Sequence, residues 1–99
     1  MRDGPAPARA VGSAELFHAN GMHARPAIKL TKLARRFRAS VAVGVSAGGP
    51  WIDAKSIAKV MAMKTPSGAT LYFEAEGSDA HDAVAALVAL VAGDFANAE

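Results

Sequence analysis

Asn20-Gly21-Met22-His23-Ala24-Arg25-Pro26-Ala27 joins a turn to the start of a helix. Asn-Gly ends whatever precedes it. Pro26 suits a first helical turn, where the early N–H groups have no partner within the helix. His23 therefore falls at or beside the N-cap, next to free N–H donors and the positive end of the helix dipole. Such a place binds anions, phosphate above all. An imidazole against that nest, with an Arg fork two residues on, can carry a phosphoryl group on nitrogen. The plainer alternative is a surface His that caps a helix.

Downstream, Ala27, Leu30, Ala34 and Phe37 recur at helical spacing, while Lys29, Lys32, Arg35 and Arg36 occupy other faces, which predicts an amphipathic helix over 24–37. Ser40 to Val45 alternates with β-branched residues and reads as a strand. Ser46-Ala47-Gly48-Gly49-Pro50 is a hairpin connection to a short returning strand at Trp51-Ile52-Asp53. Ser56 can cap a brief helix reaching Met63, with at least one of Ile57, Val60 and Met63 in the core. Residues 69–75 read as the last strand, and Ser78 or Asp79 caps a final helix whose stripe is Val84, Leu87, Val88 and Val91, closed by Phe95.

Upstream, Ala14 to Ala19 is expected as a short first strand. Residues 1–12 have the Gly, Pro, Ala and Arg composition of a flexible tail or linker, so the domain is expected over 13–96. One apolar face per strand and one stripe per helix predict a two-layer α+β fold, with the helices on one face of a four-stranded sheet and the other face in water. With the last strand between the first two, that sheet is fully antiparallel.

Composition bounds the function. Ninety-nine residues make a single domain. There is no Cys, which excludes disulfides and thiolate metal sites and gives no sign of an oxidising compartment. No apolar run approaches the roughly 20 residues of a membrane span, and the first residues lack the apolar region of a signal peptide. A cytoplasmic protein is expected. A net charge of +2 is too small to imply nucleic acid. His18 and His23 lie five apart, with nothing to complete a metal site, so no metal and no cofactor are expected.

Gly21 to Ala27, followed some thirty residues later by Asp53-Ala54-Lys55-Ser56-Ile57, resembles the histidine-containing phosphocarrier family, HPr. Both motifs fall at the expected starts of the first and second helices, and the likeness runs from about Ser13 to Phe95. The resemblance implies an open-faced β-sandwich and a role in the phosphoenolpyruvate-dependent phosphotransferase system. His23 would accept phosphate on Nδ1 from phosphorylated enzyme I and pass it to a IIA-type domain. Arg25 would hold the phosphoryl oxygens or swing with the charge, the backbone N–H groups of Ala24 and Arg25 would point into the site, and Asn20 would help cap the turn. Lys29 and Lys32 would steer acidic partners, with Ile57 and Met61 as an apolar knob. Burial in the core is the ordinary alternative for Ile57 and Met61. Ser56 matches a serine that a dedicated kinase phosphorylates in some branches of the family. The carrier is expected to act as a monomer.

Met22 stands where Leu is commoner, the Gly48-Gly49-Pro50-Trp51 connection looks longer than usual, and Lys64-Thr65-Pro66 replaces a Gly-containing turn. These features are similar to HPr-like domains of multidomain phosphotransferases, among them the phosphoryl donors of dihydroxyacetone kinase. The alternative function is a non-phosphorylated regulatory interaction module on the same fold. Retention of both His23 and Arg25 favours the carrier.

Overall fold

The computed structural model describes residues 8–96. Its elements are β1 (Arg9–Glu15), α1 (Ala24–Ala34), β2 (Ser40–Gly44), β3 (Ile52–Asp53), α2 (Ile57–Ala62), β4 (Thr70–Glu76) and α3 (Ala80–Ala92). The sheet order is β1-β4-β2-β3, and every neighbouring pair is antiparallel. The last strand does lie between the first two, and three helices accompany an open four-stranded sheet, as the α+β reading predicts.

Register fixes the two faces. Ala75 lies opposite Ala10 and Val41, and Phe73 opposite Gly12 and Val43, so these residues share the inner face. They pack with Ala27 and Leu30 of α1, Val60 of α2, and Leu87 and Val91 of α3, all buried in one core. On the outer face Arg9 and Glu74 form an ion pair. The β2–β3 connection packs closely on Gly44, where a Cβ would lie 2.8 Å from the Pro50 carbonyl oxygen and 3.5 Å from Trp51 Cε3, and Trp51 lines a shallow hollow on that face with Val11 and Tyr72. Among the described residues no helix is long and apolar enough to cross a membrane.

The first strand lies further upstream than expected. It spans Arg9–Glu15 rather than 14–19, so residues 9–12 belong to the sheet and only residues 1–7 of the expected tail fall outside the described residues. The reason is close packing. Its inward positions are Ala10, Gly12 and Ala14, and a Cβ on Gly12 would come within 2.7 Å of Val84 Cγ1 on α3. Small residues are needed where a helix presses on a strand, and they leave the run with linker composition. Leu16 continues the pairing through backbone bonds with Ala69 (2.8 Å) and Gly68 (2.7 Å), and it is wholly buried.

Two helix ends also differ from expectation. α1 stops at Ala34, and its last turn tightens through Arg36 N–H to Leu33 C=O and Phe37 N–H to Ala34 C=O. Phe37 thus packs against the core from a turn. Asp79 is the N-cap residue of α3 but makes no capping bond with its side chain. Its two carboxylate oxygens instead accept the N–H groups of Arg38 (2.9 Å) and Ala39 (2.8 Å), tying the α1–β2 turn to the head of α3. These bonds, the one from Arg38 foremost, hold its carboxyl below the ordinary value of 3.8.

Candidate functional site

The loop from Leu16 to His23 places the site. Gly21 N–H donates to the His18 carbonyl (2.8 Å), closing a turn with exposed Asn20 at its tip. Gly21 takes φ +70°, and a Cβ there would collide with the Thr65 carbonyl oxygen. The same oxygen accepts Met22 N–H at 2.8 Å, so the segment leaving α2 braces the loop. Met22 is buried and belongs to the core.

His23 follows as the N-cap of α1, with extended backbone (φ −111°, ψ −164°). Its carbonyl accepts the Ala27 N–H (3.0 Å), the first bond of the helix. Its side chain makes no capping bond, so the ring is not committed to its own helix. Pro26 and Ala27 are buried and anchor this end, while Ala24 and Arg25 are exposed. The N–H groups of Ala24 and Arg25 have no carbonyl partner among the described residues, and the first turn of α1 contains no acidic residue. Free backbone donors and the positive end of the dipole therefore lie beside a half-exposed imidazole, with exposed Arg25 two residues on.

The ring of His23 does have a partner. Its Nε2 lies 3.3 Å from Nδ1 of His18, with the ring centroids 4.8 Å apart and the planes at 67°. His18 in turn packs edge-on against Phe95, centroid to centroid 6.0 Å. Phe95 is buried, its N–H donates to the Leu90 carbonyl (2.8 Å), and its own carbonyl accepts Lys29 Nζ at 3.1 Å. The five-residue spacing of His18 and His23 across a Gly turn was the only signal for this pair. Nothing local points to Phe95. No third His, Asp or Glu joins the two rings among the described residues to form a metal-binding group.

The remaining expected site residues divide by setting. Lys32 is exposed, whereas Lys29 is half-buried and tied to Phe95. Met61 is 39% exposed and Ile57 half-buried, while Val60 enters the core from the same short helix. Ser56 caps α2, its hydroxyl accepting the Lys59 N–H at 3.3 Å. Asp53 is engaged elsewhere, accepting the Lys55 N–H at 2.9 Å.

The family model described as "PTS HPr component phosphorylation site" matches residues 13–93. The chain belongs to the HPr family. It is 42% identical over 79 residues to the phosphocarrier protein HPr of Cupriavidus necator, covering 80% of this chain and 86% of that protein. It is 38% identical over 78 residues to a multiphosphoryl transfer protein of Vibrio cholerae, covering 77% of this chain but 20% of that longer protein. The crystal structure of HPr-C-His from Thermoanaerobacter tengcongensis superposes with a TM-score of 0.79 at 30% identity, covering 87% of this chain and 94% of that one. The HPr fold, an open four-stranded antiparallel sheet with three helices, is thus the fold of this chain. Membership makes it a component of the phosphocarrier family of the phosphotransferase system.

Proposed function

We propose that this chain accepts a phosphoryl group on His23 from phosphorylated enzyme I and passes it to a IIA-type domain. The observation that carries the reading is the seat of His23: a half-exposed ring at the head of α1, uncommitted to the helix, beside the free N–H groups of Ala24 and Arg25. The phosphoryl group added to Nδ1 is an anion next to a helix N-terminus, which favours it. Arg25, free in solvent, closes on the phosphoryl oxygens as a planar fork. The site is shallow, as a reversible carrier requires, since a deep pocket would hold the phosphate too tightly to release it.

Lys32, Met61 and the exposed part of Ile57 form the docking surface in this reading, with Lys32 steering acidic partners. Lys29 contributes less than its charge suggests, because its amine is tied to Phe95. A phosphate on Ser56 would place a double negative charge at the head of α2 and weaken the same docking.

The test is incubation with phosphoenolpyruvate and the cognate enzyme I, followed by intact mass. A gain of one phosphate, lost in acid and absent in His23→Ala, is the expected result. Failure of transfer with the cognate enzyme would remove the carrier role and leave a regulatory interaction module on the same fold.

A further inference from the structure

We infer that His18 is a positioning residue: its Nδ1 accepts the Nε2–H of His23 and holds that ring in the tautomer whose Nδ1 carries the free electron pair. The consequence for transfer rests on the carrier reading; the tautomer does not. A neutral imidazole has one N–H and one acceptor nitrogen, so the 3.3 Å contact admits two arrangements. If His18 donated, His23 would bear its proton on Nδ1, the ring nitrogen nearer the backbone. The head of α1 has no acidic residue to receive such a proton. It presents instead the N–H groups of Ala24 and Arg25, which have no carbonyl partner among the described residues, and the positive end of the dipole. The positive end of a helix disfavours an N–H on the ring nitrogen nearest to it and favours a lone pair there. The proton therefore sits on Nε2, and the acceptor that meets it is Nδ1 of His18.

His18 is itself held. Phe95 packs edge-on against its ring at 72°, and Phe95 is locked by burial, by its bond to Leu90 and by Lys29 on its carbonyl. The Lys29 amine at 3.1 Å from that carbonyl is thus linked through Phe95 and His18 to the reacting ring. During transfer the Nδ1 electron pair forms the N–P bond, and the bond from phosphorus to the donor breaks with its pair left on the donor. The proton stays on Nε2, the ring becomes cationic, and its hydrogen bond to His18 strengthens as a charge-assisted one. Transfer onward runs the same steps in reverse.

The experiment is long-range proton–nitrogen NMR of the two rings in the native chain, His18→Ala and His18→Asn. The native chain should show His23 with a protonated Nε2 and a bare Nδ1. His18→Ala should relax this to a mixture of tautomers. His18→Asn should restore it, because Asn Oδ1 reaches about as far as His Nδ1 and accepts. Phosphoryl uptake from enzyme I should slow by about three- to tenfold in His18→Ala, the weight of one hydrogen bond, and recover in His18→Asn. A dominant Nδ1–H on His23 in the native chain would overturn the inference, as would a pattern that His18→Ala leaves unchanged. The expected nitrogen signals in a chain that accepts no phosphate would uphold the tautomer and defeat only the carrier reading.

Discussion

Replacing Gly21 by Ala tests whether the loop bearing His23 is wedged against the segment that leaves α2. Two costs combine at this position. A residue with a Cβ pays about 1 kcal/mol or more at the φ of +70° found here. The new methyl also collides with the Thr65 carbonyl oxygen and lies 3.0 Å from Pro66 Cα. Both obstacles are backbone, so they yield only if the loop moves, and overpacking of that kind costs about 1–3 kcal/mol. The sum, about 2–4 kcal/mol, corresponds to a fall of roughly 10–25 °C in Tm for a domain of this size. Gly68 and Gly48 supply the controls. Gly68 has φ +93° with nothing within 4 Å of a built Cβ, so Gly68→Ala pays the conformational strain alone. Gly48 has open space and no positive φ, so Gly48→Ala should be neutral or stabilising by about 0.4–1 kcal/mol. Thermal melts of the three variants followed by circular dichroism give the ranking. Phosphoryl uptake by Gly21→Ala should fall further than its folded fraction explains, because a shift of about 1 Å at a reacting group can cost about 100-fold. If Gly21→Ala melts with Gly68→Ala, the proposed brace against Thr65 is wrong.

Two further substitutions probe strain and charge. Lys64 holds φ +51° just past α2, where a helix commonly ends on Gly, so Lys64→Gly should raise stability by about 1 kcal/mol in a urea titration; an unchanged midpoint would show that this backbone is not strained. The Asp79 carboxyl is held below 3.8 chiefly by the Arg38 N–H, so its ionised form is favoured in the folded chain. Its contribution is present above the unfolded carboxylate pKa and is lost as pH falls through the lowered folded value. Asp79→Asn should therefore be less stable than the native chain at neutral pH, with the gap closing in acid; a gap that persists at the lowest pH would assign the effect to something other than the charge.

The parts of the site legible in the sequence are those whose causes are local. Asn20-Gly21 demands a turn, Pro26 demands a first helical turn, and between them His23 has no place but the N-cap, which is where it lies. Ser56 is equally local, since an N-cap hydroxyl needs only the N–H three residues on. Whole elements were legible where large apolar residues mark them, as in β4 with Leu71 and Phe73 wholly buried. β1 fails that rule for a physical reason. Its inner face is made of Ala10, Gly12 and Ala14 because α3 presses close, while Val11 points outward and is 65% exposed. Periodicity scans weigh residue size and apolarity, and here close contact has selected against size.

The same limit hides the contacts made between elements. Asp79 reads as a cap from its neighbours, yet its oxygens serve a turn forty residues earlier, because the α1–β2 connection leaves two N–H groups without helical partners there. Phe95 reads as the end of an apolar stripe, but the helix stops at Ala92 and the chain turns through positive φ at Asp94 and Phe95. That turn, rather than helical spacing, delivers the ring to His18. Stripe, cap and turn signals describe what a residue does for its own element. The groups that orient His23 act between elements, and they become visible only when the α1 head, the loop before it and the segment after α3 are brought together by the core.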